Sequence, residues 1–184
     1  MNDGLHSVSE ALPAMQDLAS RWSPDGFRHP GQLAWSVGYA LPEDLGHGPV
    51  RLWYDGGEVA AYAWLEEPTW AEICVHPSAP GLVPEVAAWL AEAADGALTA
   101  MIGENETWLV DGLVAAGWSL TREAPWMTQH SLDLADLPPV PEIPGYTFRA
   151  IGPDEAADRA ACHRGAWEGS KVSEAAYRRL ARRS

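Results

Sequence analysis

Residues 70–95 read Trp-Ala-Glu-Ile-Cys-Val-His-Pro-Ser-Ala-Pro-Gly-Leu-Val-Pro-Glu-Val-Ala-Ala-Trp-Leu-Ala-Glu-Ala-Ala-Asp, and this stretch decides the fold. Its first part predicts a strand. Ile73, Cys74 and Val75 favour extended backbone, and Pro77 ends any ladder because it has no N–H to donate. Its last part predicts a helix, since Val86, Trp89, Leu90 and Ala93 fall on one face at helical spacing. Pro84 fits the first turn of that helix, where its missing N–H costs nothing. A strand, a short turn holding Gly81 and a helix N-terminus form a natural anion site, because free amides point out of such a turn.

Val75-His76-Pro77 followed by a turn and a helix resembles the central motif of the GNAT superfamily of N-acetyltransferases. The resemblance implies a GNAT acyl-CoA N-acyltransferase-like fold of the α/β class, an α+β mixed sheet with helices on both faces. It also implies acetyl-CoA as cofactor and a small amine as acceptor. The cofactor would lie along Ile73 and Val75 of the strand and Gly81, Leu82 and Val83 of the turn, with Asn105 touching its arm. In the family's cofactor motif, Arg or Gln is followed by three spaced small residues. Those four places fall here on Pro80, Gly81, Val83 and Glu85, so one of the four matches. Val83 puts a branched side chain where backbone should approach phosphate, and Glu85 puts a carboxylate beside it.

The family's reaction is attack of an amine on a thioester. It needs a base for the amine proton and an acid for the departing thiolate. The resemblance gives the base position to Glu72, which is retained, and the acid position to Leu113, four residues before Gly117-Trp118, which has no proton to give. Glu72 also reads as an ordinary strand carboxylate, and Asn105 as a helix N-cap. Cys74 shares a strand face with Glu72, but no His or Asn is placed to activate a thiol, so it reads as core. His76 reads as a structural residue of the turn. No Cys/His cluster with metal-ligand spacing occurs.

Outward from this centre, Ser7–Trp22 predicts a helix with a Ser7/Glu10 capping box, and Pro30–Tyr39 a second. Val50–Asp55 and Val59–Glu66 predict a hairpin about Asp55-Gly56-Gly57-Glu58, with strand 70–75 completing a meander. Leu98–Ile102 predicts a further strand, Asn105–Ala116 a helix closed by Gly117, and 118–120 with 126–134 a last antiparallel pair. The family begins with a strand before its first helix, and Asn2–His6 is too short and polar for it.

Residues 1–135 thus read as one GNAT-like domain, degenerate at its cofactor turn. Residues 136–145 form a linker of extended polyproline character, because four prolines fall within seven residues. Residues 146–184 read as strand, helix and helix, the start of a truncated second repeat. The arrangement resembles tandem GNAT proteins, whose first half is degenerate. The partner implied is a second GNAT domain or a second copy of the chain, and the strand at 146–151 is a candidate for the empty first-strand place.

The chain has 184 residues and a net charge of −14. Residues 1–145 carry 4 Arg against 21 Asp and Glu, whereas 146–184 carry 8 Lys and Arg against 5. So acidic a body argues against nucleic acid and anionic membrane as partners and draws cationic amines. The N-terminus has neither a basic nor an apolar signal region, which reads as cytoplasmic. Three functions remain open on sequence alone: an acetyl-CoA-dependent transferase, a non-catalytic GNAT-like module that stabilises, dimerises with or regulates a partner domain, and a binder of another small ligand.

Overall fold

The structure is a computed structural model and describes residues 4–22, 28–39, 48–121, 139, 141–147, 149, 151–170 and 172–181. Two compact units divide the chain, residues 1–124 and 125–184. The fold is mixed α and β. Among the described residues it has one four-stranded antiparallel sheet and six α-helices.

In the first unit, β1 (Leu5–His6) leads into α1 (Val8–Trp22) and α2 (Pro30–Tyr39). The capping box forms: Ser7 N–H donates to Glu10 Oε2 at 3.0 Å, and Glu10 N–H to Ser7 Oγ at 3.4 Å. Val8, Leu12, Met15, Leu18, Ala19 and Trp22, at helical spacing, are buried along α1. The hairpin follows as β2 (Val50–Asp55) and β3 (Glu58–Glu67), then β4 (Trp70–Val75). Gly56 and Gly57 take φ of 58° and 92°, the left-handed pair that a two-residue hairpin turn requires. The strands lie in the order β1-β2-β3-β4, all neighbours antiparallel.

The sheet is covered on both faces. Leu52, Tyr62, Trp64 and Cys74 pack with α1 and α2. Ala61, Ala63, Ile73 and Val75 pack with α3 (Val83–Ala93) and α4 (Thr107–Ala115). Residues 59–65 are therefore all buried, and the alternation of β3 separates two cores rather than core from solvent. The β-bulge after Trp53 shifts the register, and Tyr54, two residues beyond buried Leu52, is exposed. Val86, Trp89 and Leu90 of α3 are buried as the spacing predicts, while Ala93 is exposed. Gly117, with φ of 95°, closes α4: Trp118 N–H donates to Leu113 O at 3.0 Å.

Three expectations are corrected in the first unit. Asn2–His6 reads as too short and polar for a strand, yet Leu5–His6 pairs with Val50 and Arg51, and Leu52 N–H adds a bond to Gly4 O at 3.1 Å. Leu98–Ile102 forms no strand. It contributes a single parallel bridge, Thr99 to Trp70, made by Ala71 N–H to Thr99 O and Thr99 N–H to Thr69 O, both 2.9 Å. Residues 118–120 carry no strand, and 126–134 lie outside the described residues.

In the second unit, the described residues of 145–151 form no strand. A turn at Pro144-Gly145 brings Tyr146 N–H to Ile143 O at 3.0 Å, and Gly145 takes φ of 82°. Alternation alone makes no strand where no neighbour supplies a ladder. The two helices form as the sequence indicates: a 3-10 turn (Pro153–Glu155) opens α5 (Ala156–Ala166), and α6 (Glu174–Ala181) follows. Gly152 N–H donates to Glu155 Oε2 at 2.7 Å. The Arg149 guanidinium bonded to Glu155 pulls that carboxyl down to about 2.

Candidate functional site

Glu72 lies in the middle of β4 on the face that α1 and α2 cover, and it is buried. A buried carboxylate needs partners, and two are supplied. Tyr62 Oη, on the neighbouring strand β3, donates to Glu72 Oε1 at 2.7 Å. Arg28, just ahead of α2, brings Nε to 3.6 Å from the same oxygen and donates from Nη2 to Met101 O at 2.6 Å. Arg28 is 7% exposed, so one guanidinium ties α2, β4 and the segment after Thr99 in a nearly dry site. Burial first, then the charge of Glu72, pushes the Tyr62 phenol well above its usual range, so it stays a donor.

Three more groups stand in the same electrostatic neighbourhood. Burial, with the charges of Glu72 and Glu67, lifts Glu66 to about 7. Burial also lifts Glu106, although Gly103 N–H donates to its Oε2 at 2.5 Å and Arg28 opposes the rise. Its other oxygen, Oε1, is buried and has no hydrogen-bond partner among the described residues. Cys74 is pushed up to about 12, chiefly by burial, so its thiol is inert near neutral pH and is core. His76 is held in the turn: its Nδ1 is 2.7 Å from Ser78 Oγ and accepts Ser78 N–H at 3.2 Å.

The other candidate residues lie elsewhere. Ile73 and Val75 point their side chains to the opposite face of the sheet, into the α3–α4 core. Their backbone N–H and C=O groups point away from β3, because Cys74 and His76 make the bonds on that side. Thr99 pairs with this outer edge only at its start. Met101 O, the next acceptor a parallel ladder would offer Ile73, receives Arg28 instead. Among the described residues no backbone group joins β4 there, yet Ile73 is 1% and Val75 0% exposed, so the edge is covered. Leu98, Ala100 and Ile102 pack into the same core.

The turn after β4 is not an open anion cradle. Pro80–Leu82 winds as a 3-10 turn directly into α3. Ala79 N–H donates to His76 O, Leu82 N–H to Ala79 O, and Val83 N–H to Pro80 O. With Ser78 N–H on His76 and Pro80 and Pro84 lacking an N–H, most of the amides in this turn are already used. Gly81 is exposed and Leu82 half-buried. Val83 is 1% exposed and packs against α4, where Gly112 comes so close that an added Cβ would lie 2.6 Å from Val83 Cγ1. Leu113 is likewise core. Asn105 is exposed in the turn before α4, and Glu106, not Asn105, is the N-cap residue.

Of the residues selected from sequence, Glu72 alone enters the buried polar cluster. Arg28, Tyr62, Glu66 and Glu106 join it from positions far apart in the chain. Arg28 had one signal: it is one of only 4 cationic side chains in residues 1–145. Among the described residues no group of His, Cys, Asp and Glu could hold a metal ion, and no helix is long and apolar enough to cross a membrane. No family model, curated protein or solved structure matches the chain.

Proposed function

We propose that residues 5–121 are a GNAT-like acyltransferase domain whose cofactor half has become core, so that the chain serves an N-acetyltransferase as a non-catalytic module. In this reading its partner is a second GNAT domain or a second copy, and it transfers no acetyl group itself. The order of elements supports the fold, as does the parting of the 98–102 segment from β4 just beyond Thr99. Val83 carries the functional part. The position where the family's backbone meets pyrophosphate is filled by a buried side chain locked against Gly112. Leu113 removes the acid in the same way.

One observation favours a second reading, in which the chain is an acetyl-CoA-dependent transferase with Glu72 as base. The amides of Ile73 and Val75 face an edge that no described strand pairs, and a cofactor's amide arm would bind there only with the residues covering that edge displaced. Titration of acetyl-CoA into the 184-residue chain by calorimetry, with coenzyme A as control, separates the two. Absence of heat at millimolar cofactor is expected. Saturable micromolar binding overturns the proposal, and acetyl transfer would then be assayed with Glu72→Gln.

A further inference from the structure

We infer that Arg28 is the resident occupant of a cation site whose walls are Glu72, Tyr62 and the Met101 carbonyl, a site that accepts an alkylguanidinium ligand once Arg28 is removed. Three observations build it. Arg28 Nη2 donates to Met101 O at 2.6 Å while Nε lies 3.6 Å from Glu72 Oε1, so one guanidinium hydrogen-bonds one segment and stands in ion-pair range of another. Glu72 is fixed from behind by Tyr62 Oη at 2.7 Å. Glu106, 1% exposed, has one oxygen without a hydrogen-bond partner among the described residues, and the charge of Arg28 acts on it.

The charge balance points the same way. Glu72 stands in ion-pair range of the Arg28 guanidinium, and Glu66 and Glu106 feel its field. Arg21, whose charge also reaches Cys74, is committed to Asp17, Glu58 and the Val59 carbonyl. A rigid fork of donors suits two acceptors at this separation better than a point charge does. Removing Arg28 leaves buried carboxylates uncompensated, which is a strong demand for another cation. The site is thus blocked from within, whether or not a coenzyme binds on the other face of the sheet.

The test is thermal unfolding of the full chain carrying Arg28→Ala, with ethylguanidinium as probe, neutral ethylurea as isostere and sodium chloride for ionic strength. Ethylguanidinium should raise the midpoint saturably, by about 5 °C at tenfold excess over its Kd. Ethylurea and salt should not, and wild type should not respond. The double variant Arg28→Ala, Glu72→Gln should lose the response. No saturable rise, or an equal rise in wild type or in the double variant, overturns the inference. Arg28→Gln, which keeps a donor for Met101 O, is titrated in parallel. If a variant is insoluble, recovery on refolding with ethylguanidinium but not ethylurea supports the inference, and recovery with neither refutes it.

Discussion

Replacing Gly112 with alanine tests whether Val83 is core. A Cβ at position 112 would lie 2.6 Å from Val83 Cγ1 and 3.0 Å from its Cβ. Carbon atoms prefer about 3.5–4.0 Å, so α4 and the start of α3 must part by close to ~1 Å. Val83 cannot yield by rotation, because a β-branched side chain in a helix has essentially one rotamer. Overpacking of this kind costs ~1–3 kcal/mol. Alanine recovers about 1 kcal/mol over glycine in a helix interior, so Gly112→Ala is expected to destabilise by about 1 kcal/mol, the difference between these two terms. In a Val83→Ala background the methyl groups are gone, and the same substitution should be neutral or stabilising. Urea unfolding followed by Trp fluorescence, run on all four chains, gives the coupling energy. The expected value is at least ~1 kcal/mol, above the ~0.5 kcal/mol within which independent sites add. Additive effects, or a Gly112→Ala chain more stable than wild type, would refute the packing and return position 83 to the cofactor turn.

Two further expectations concern the polar face. Glu66 is raised from 4.5 to about 7 in the fold, so the folded state holds its proton more tightly and stability falls as pH rises through that window. Glu66→Gln should therefore raise the melting midpoint at pH ~8 and leave it nearly unchanged at pH ~4.5, which a pH series of melts would check. Cys74 is buried with a thiol pushed up to about 12, whereas Cys162 is exposed. A chromogenic disulfide reagent should titrate one thiol in the native chain and two after unfolding, and two fast native thiols would contradict the structure.

The elements that were legible in the sequence carry their own local instructions. Ser7 and Glu10 cap α1 within three residues of each other. Gly56-Gly57 makes the hairpin turn by itself, and Pro84 falls in the first turn of α3. The misread segments depend on partners that local pattern does not reveal. Leu98–Ile102 has strand composition, yet its ladder stops where Arg28, some seventy residues away in the chain, takes the Met101 carbonyl. Tyr146–Ile151 alternates, yet has no neighbouring strand among the described residues. Val83 and Glu85 were visible as misfits in a cofactor motif, but only the approach of Gly112 gives Val83 another role. The site splits in the same way: Glu72 is found by its place on β4, while Arg28 and Tyr62 belong to it through tertiary contact alone.

The two faces of β4 differ in a way that stability alone does not explain. On the α3–α4 side, Val83 and Leu113, the positions that the resemblance gives to cofactor turn and acid, are apolar and packed. On the α1–α2 side, a buried ion pair, a phenol and a second buried carboxylate remain within an otherwise apolar core. Burying such charges costs free energy that their attraction often fails to recover, and apolar replacements of similar volume commonly hold a fold as well or better. Had both halves been refitted for packing alone, Glu72 and Arg28 would be the first groups to give way. The proposed non-catalytic module, with Arg28 kept against Glu72 as the occupant of a cation site, accounts for both faces. In that case the double variant Arg28→Met, Glu72→Leu should fold, match or exceed wild type in urea resistance, and, unlike Arg28→Ala, show no response to guanidinium ligands. A large loss of stability would instead make the ion pair a structural necessity and remove the reason for assigning it a ligand.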